Sequence, residues 1–435
     1  MIMSPAWISI IILLVMIAAY MSNKVPLPLI PLTANVVMVL FGIMTPGEMW
    51  AYYSNDTFML IVGMMVLGLA LFETGVAEKI GLGAVKLSGG KSKLAFLLLL
   101  VAAIIASAFL SNTTTTATFM PILAGLIASA GGVLHEKKTM MPLAIAACVG
   151  GNLSLIGSTP QVIFQGLFED QGMATFRFFE YAKIGFPLVA IFLIYQIFIS
   201  DKIFDKMYGD NPERSEVMQD MLGSLEKSKD DPDSRKTWKM VVSVLIFAIT
   251  VVCMIAINSS VMPTGSIAMM GAIASMILVI PVKTTIRKLD WSTLIFFGAV
   301  MAFATGFGNS GAGQMIADAV VNLGGANSSP FLIFAIFCAV IAILTQFMNN
   351  TGVAAMFAPI AFSIAATLGV SVYPFAMGVI IASSISISTP IATSPMTLVV
   401  GMGGYKFMEY VKVGGLLNLV VLIVSMELVP VIWRF

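Results

Sequence analysis

Ten stretches of this chain run for about the thickness of a bilayer with almost no charge: 5–22, 27–44, 57–74, 141–168, 182–200, 238–258, 264–281, 292–308, 374–402 and 411–433. A helix needs about 20 apolar residues to cross the hydrocarbon core, and a spanning backbone must satisfy its own hydrogen bonds. Such runs therefore read as spanning helices. Only 10% of the residues are charged and 59% are hydrophobic, against about 25% charged in a soluble domain. The chain reads as an all-α polytopic membrane protein. Its first stretch lacks the basic n-region and small-residue cleavage site of a signal peptide, so it reads as a retained span.

Charge sets the expected orientation. Two further apolar pairs, 93–130 and 328–370, are each interrupted by a polar tip and read as re-entrant hairpins that return to their own side. With the N-terminus outside, ten crossings then put 20 of the 23 Lys and Arg residues inside, and the C-terminus outside. The three exceptions are Arg177, Lys183 and Arg434. The five tryptophans (Trp7, Trp50, Trp238, Trp291, Trp433) fall at or beside segment ends, as an interfacial belt requires. The expected location is the cell's inner (plasma) membrane.

Several function classes drop out. A net charge of +1 implies no nucleic-acid partner. The one histidine, His135, lies in a charged loop, so no His-based metal cluster or proton relay is available. Cys148, Cys253 and Cys338 sit in apolar segments at unrelated spacings and read as buried structural thiols. Intramembrane hydrolysis would need paired aspartates, a Ser–His couple or a zinc set. The chain is not expected to be an enzyme.

The sequence also repeats. FRFFEYAKIG at 176–185 matches YKFMEYVKVG at 405–414 in five of ten positions. SNTTTTATFMPI at 111–122 matches NNTGVAAMFAPI at 349–360, and LIGSTPQVIFQG at 155–166 lies opposite PIATSPMTLVVG at 390–401. TFMLIVGMMVLGLALFETG at 57–75 resembles TLIFFGAVMAFATGFGNSG at 293–311 with one inserted residue. Two units follow, 1–200 and 238–435, joined by a charged cytoplasmic linker, 201–237. Five crossings per unit make the second an inverted copy of the first, a pattern common in secondary transporters. The repeat also accounts for Arg177 and Lys183, the outside counterparts of Lys406 and Lys412.

The uncharged polar stretches carry the chemistry. Ser111-Asn112-Thr113 and Asn349-Asn350-Thr351 stand between apolar arms, and Ser, Thr and Asn are favoured N-cap residues. The second arm of each hairpin should therefore start at the tip with its first N–H groups unpaired, while the first arm ends there with unpaired carbonyls. Helix N-termini with hydroxyls and amides suit an anion, and carbonyl and hydroxyl oxygens suit Na⁺. A second pair of interruptions, Gly157-Ser158-Thr159-Pro160-Gln161 and Ala392-Thr393-Ser394-Pro395-Met396, should break the spans at 141–168 and 374–402, with Pro390 adding a further break.

The paired tips, the breaks and the run SSISISTPIATSP resemble the divalent-anion/sodium symporter family, within the ion transporter superfamily, over nearly the whole chain. The resemblance implies a homodimer in membrane lipid, each copy with a scaffold and an elevator-type transport domain. The small anionic substrate would be a di- or tricarboxylate or an inorganic dianion, co-transported with Na⁺. By position it implies one Na⁺ near Ser107, Ser111, Asn112 and Gly157, and a second near Thr345, Met348 (through its carbonyl), Asn350 and Ala392. The substrate would lie between, touched by Asn112, Thr113, Asn350 and Thr351, with Ser158 and Thr393 beside it. The second tip opens with Asn349 where the family usually has serine, and the breaks read STPQ and TSPM where it commonly has Thr-Pro-Pro-Asn.

Rival readings are a Na⁺-independent anion exchanger, an oxyanion exporter and a cation/proton antiporter. The last needs an interior carboxylate, and none of the 22 Asp and Glu residues falls in a tip or break. Glu73 and Glu427 lie toward segment ends, and Asp318 follows a Gly-rich turn.

Overall fold

A computed structural model describes residues 3–22, 24–209, 215, 217–218, 237–257, 261–324 and 329–435. The regular elements of the described residues are helical. The first half contains α1 (Pro5–Ser22), α2 (Leu29–Leu40), α3 (Pro46–Ala51), α4 (Asp56–Glu73), α5 (Val76–Leu87), α6 (Ser92–Ser107), α7 (Asn112–Ser129), α8 (Glu136–Gly150), α9 (Thr159–Asp170) and α10 (Ala182–Tyr195). A π-turn, Gln196–Ser200, leads into α11 (Asp201–Tyr208). The second half contains α12 (Thr237–Ala256), α13 (Thr264–Leu278), α14 (Val282–Lys288), α15 (Trp291–Asn309), α16 (Ala312–Gly324), α17 (Pro330–Leu344), α18 (Asn350–Leu368), α19 (Val372–Ser384), α20 (Ser394–Gly403) and α21 (Phe407–Ile432). Of the expected linker 201–237, only α11, Gly209, Ser215, Val217, Met218 and Thr237 fall among the described residues.

Seven helical stretches among the described residues are long and apolar enough to cross a membrane: Pro5–Ser22, Pro46–Glu73, Ala182–Tyr208, Thr237–Ala256, Trp291–Asn309, Asn350–Leu368 and Phe407–Ile432. The expected spans at 27–44 and 264–281 are shorter apolar helices, and the two broken spans are each a pair of short helices. One hairpin arm, Asn350–Leu368, is long enough to span by itself. The sequence reading missed α5 and α16. Each follows a glycine in the left-handed region, Gly75 at φ 79° and Gly311 at φ 80°, where a side chain would be strained.

The two hairpins fold as their sequences dictate. Ser111 caps α7, its hydroxyl accepting the Thr114 N–H, and Asn349 caps α18 by accepting the Thr351 N–H. The breaks differ from expectation. The helices stop earlier, at Gly150 and Ser384, and the chain runs without α-helix through 151–158 and 385–393. Pro160 and Pro395 do not kink a span. They occupy the first turn of α9 and α20, where a missing N–H leaves nothing unpaired.

The halves interlock. α2 packs on α15 and α4 on α13, so each half's second helix lies against the other half's fourth. Likewise α9 packs on α18 and α19, and α20 on α7 and α8. Aromatic contacts fasten the first of these crossings: Phe164 stacks on Phe362 (6.3 Å between centroids) and Phe168 on Tyr373 (5.1 Å). The same hydrogen bonds recur on both sides. Tyr181 Oη donates to Gln161 O (3.5 Å) and Tyr410 Oη to Met396 O (2.9 Å). The Ser154 hydroxyl donates to Ala108 O, and the Thr389 hydroxyl to Gln346 O. In each half this last bond pins the unwound segment to the hairpin turn.

Candidate functional site

The site begins at two asparagines, each five residues beyond a buried hydroxyl. Ser107 Oγ lies 2.8 Å from Asn112 Oδ1 and 2.8 Å from Ala147 O. Thr345 Oγ1 lies 3.1 Å from Asn350 Oδ1 and 2.9 Å from Ser383 O. A hydroxyl has one proton to give, so Ser107 and Thr345 can each serve only one of the two oxygens beside them. Around Asn112 the amide's orientation decides what bridges the rest. With its nitrogen turned inward, the amide donates to Ser107 Oγ (2.8 Å), Ala147 O (3.0 Å) and Gly157 O (3.2 Å). With its oxygen inward it completes a cluster of four oxygens. Around Asn350 the Ser386 hydroxyl also donates to Oδ1, and Nδ2 donates to Ser384 O at 3.3 Å.

The clusters are tight because backbone closes on backbone. A Cβ on Gly151 would stand 2.4 Å from Asn112 Oδ1 and 2.9 Å from Gly157 O, so any side chain there would force the amide or the break to shift. The aligned residue in the second half is Ser386, whose hydroxyl takes that place against Asn350.

A chain of contacts joins the two clusters. Gly157 O is within reach of the Asn112 amide, and Ser158 follows it. Ser158 Oγ lies 3.5 Å from Ser384 Oγ, and Ser384 O accepts from Asn350. On the other side Thr393 lies against the Cys148 thiol. Neither Ser158 nor Thr393 caps its own helix by a side-chain bond. Thr113 is exposed and Thr351 half-buried, and among the described residues neither hydroxyl is spent on a protein partner. The N-termini of α7, α9, α18 and α20 thus border one uncharged polar region, and helix N-termini favour negative charge.

Of the sequence-predicted residues, Ser107, Asn112 and Gly157 come together, as do Thr345 and Asn350. Ser111 does not join its cluster: its hydroxyl contacts Thr114 as a cap. Met348 and Ala392 are buried, and no hydrogen bond among the described residues ties either to Asn350. Sequence reasoning missed Ser386, Ser154 and Thr389, whose signal was the serine-threonine spacing ahead of each break. It also missed the carbonyls of Ala147, Ser383 and Ser384, which carry no side-chain signature.

A separate cavity of about 510 Å³ lies where Glu48, Asp56, Glu169 and Asp170 gather. Its carboxylates are braced: Thr57 donates to Glu169, Gly265 N to Asp56 (2.9 Å) and Thr305 to Asp170 (3.4 Å). It holds none of the tip residues and is unsuited to an anion.

A family model described as citrate transporter matches residues 11–366 and 324–435. Sodium-dependent dicarboxylate transporters SdcS from Staphylococcus aureus strains are 23% identical over 424 residues, 92% of this chain and 81% of theirs. Among solved structures, MtrF of Neisseria gonorrhoeae, described within a class of antimetabolite efflux pumps, superposes with a TM-score of 0.63 at 14% identity, covering 100% of this chain and 95% of its own. The YdaH transporter of Alcanivorax borkumensis does so at 0.54 and 12% identity, covering 99% and 98%. At these identities the structural likeness speaks for the fold.

Proposed function

This chain belongs to the citrate transporter family, and from that premise we propose that it is a secondary active symporter of a di- or tricarboxylate, or of an inorganic dianion, driven by Na⁺. The observation that carries the reading is the contact chain from Asn112 through Gly157, Ser158 and Ser384 to Asn350, with an oxygen-rich cluster at each end. Hard cations take oxygen ligands. Na⁺ in the first cluster favours Ser107 Oγ, Ala147 O, Gly157 O and the Asn112 carbonyl turned inward. That rotation points the Asn112 NH₂ away from the cluster, toward the region bordered by the four helix N-termini. Cation binding thus creates an anion donor, which is the physical coupling between the two ligands. In the second cluster Thr345, Asn350, Ser386 and the Ser383 carbonyl offer the oxygens, with the Asn350 carbonyl already turned inward. Ser111, Met348 and Ala392 support these clusters from the tip and the break. Thr113, Thr351, Ser158 and Thr393 offer hydroxyls to the anion. Among the described residues no arginine contacts these clusters for bidentate recognition, so helix N-termini and neutral donors bear the dianion.

The units 1–200 and 238–435 act in this reading as inverted repeats about the linker 201–237. The hairpins and broken segments (α6–α9 and α17–α20) form a transport domain that moves as an elevator against a scaffold. The assembly is a homodimer in the plasma membrane with both termini outside. The SdcS relatives support Na⁺ coupling and a dicarboxylate by their names.

The test is uptake of labelled succinate, citrate, sulfate and phosphate into proteoliposomes, with an inward Na⁺ gradient or with K⁺ in its place. Na⁺-stimulated uptake of one anion, lost in Asn112→Ala and Asn350→Ala, is the expected result. Uptake indifferent to Na⁺ but driven by an internal anion would replace symport with exchange. Na⁺ or H⁺ flux without any anion would overturn the reading.

A further inference from the structure

The helix from Ala182 to Tyr208 passes through a π-turn at Gln196–Ser200, where its apolar run gives way to charge, and ends in α11. At that exit Phe198, Lys202 and Lys206 are spaced four apart, so they share one face. Together with Lys412 of α21 they border a cavity of about 780 Å³, whose apolar wall is completed by Ile203 and Met207. Phe198 is 62% exposed, so the mouth of this cavity presents an apolar side chain to the surroundings.

Three ammonium groups meet here with little to neutralise them. Among the described residues no carboxylate pairs with Lys202, Lys206 or Lys412. The neighbouring carboxylates are engaged elsewhere: Asp205 pairs with Lys138 at 2.6 Å, and half-buried Asp201 lies in the fields of Lys93 and Lys138. Glu409 also lines the cavity, but its carboxylate accepts the Lys406 N–H at 2.7 Å and faces the Tyr208 hydroxyl. The repeat shows what is unusual. In the matching motif of the first half, Lys183 pairs with Glu180 at 3.1 Å and lies over the Trp433 ring. The same Glu-x-x-Lys spacing gives a closed pair at one end of the molecule and an open lysine at the other.

We propose that this cavity binds the headgroup of an acidic phospholipid. The lysines hold the phosphate, while Phe198, Ile203 and Met207 line the start of the acyl chains. The occupant follows from charge complementarity and position: a cationic floor beside an apolar wall, at the end of a spanning helix, on the side that carries the excess of Lys and Arg. Anionic lipid attracts each such lysine strongly enough that removing one lowers affinity about five-fold.

The experiment measures binding of the detergent-purified full chain to phosphatidylglycerol, by native mass spectrometry and by the rise in melting temperature on lipid addition, with phosphatidylcholine as the comparison. Expected are preferential retention of phosphatidylglycerol and a loss of roughly five-fold per lysine in Lys202→Gln, Lys206→Gln and Lys412→Gln. Arginine at the same positions should keep binding, which separates lost charge from lost fold. Equal retention of the two lipids would overturn the proposal. So would phosphatidylglycerol binding untouched by the triple glutamine variant, or a site already covered by linker residues, detected as cross-links from Lys206 into 219–236.

Discussion

Replacing Gly151 with alanine tests the proposed cation site at its tightest point. The new methyl would stand 2.4 Å from Asn112 Oδ1 and 2.9 Å from Gly157 O, against ordinary contacts beyond 3.4 Å, so the amide or the break must move by about an ångström. Overpacking of this kind costs about 1–3 kcal/mol. The methyl faces the cluster oxygens and not the hydrophobic packing, so the penalty should fall on cation binding. At 1.4 kcal/mol per decade, the Na⁺ concentration giving half-maximal uptake should rise about 5- to 150-fold. Maximal uptake at saturating Na⁺ should be largely retained. The assay is a Na⁺ titration of anion uptake in proteoliposomes, beside the size-exclusion profile and melting temperature of the variant. Gly151→Ser is the informative companion. Its hydroxyl imitates Ser386 in the second half and should recover part of the lost Na⁺ affinity. A folded Gly151→Ala protein with an unchanged Na⁺ titration would refute the assignment of these oxygens to a cation.

Three more outcomes are expected. Asn350→Asp keeps the oxygens offered to the cation but loses the donor and adds a negative charge beside the anion; uptake should fall by about tenfold or more while Na⁺-induced thermal stabilisation survives, measured on the same preparation. Tyr410→Phe removes a 2.9 Å bond to Met396 O and should destabilise the protein by about 0.5–1.5 kcal/mol, whereas Tyr181→Phe, losing only a 3.5 Å contact, should cost less; paired thermal unfolding decides. Burial raises the Glu180 pKa, but hydrogen bonds from Arg177 N, Lys183 and Trp433 outweigh it and leave the carboxyl below its ordinary value. A depressed carboxylate pKa stabilises the fold above the unfolded-state value, and the stabilisation is lost as pH falls through the folded-state value. Unfolding temperature should therefore drop on acidification below the usual carboxylate range, with a smaller drop in Glu180→Gln.

Much of this arrangement was legible in the sequence because it is local. Ser111 and Asn349 announce helix starts by their chemistry, and α1 runs from Pro5 to Ser22 as its apolar stretch does. Matching segments also pair Asn112 with Asn350, and the family resemblance implies Ser107 and Thr345 beside them. The breaks were misplaced because proline is ambiguous: Pro160 and Pro395 read as interruptions, yet each begins a helix. Part of each oxygen cluster was invisible, since Ala147 and Ser383 contribute carbonyls that any residue type would supply. Ser386 escaped because its partner lies 36 residues away and the contact depends on how an unwound segment lies across a hairpin tip.

The crossing of the two halves also bears on how such a chain is made. Ser158 meets Ser384 across 226 residues of sequence. At about 5–20 residues per second of synthesis, the first break waits on the order of ten seconds or longer for its partner. During that time the tip of the first hairpin and the unwound 151–158 segment lack the α18–α20 surface against which they finally pack. A nascent chain at this stage carries polar backbone that its final partners do not yet cover, and wherever such backbone meets lipid each unpaired group is costly. The first half is therefore a client for the insertion machinery until the second arrives, and a ribosome stalled beyond Ser200 would leave a product fit for proteolysis.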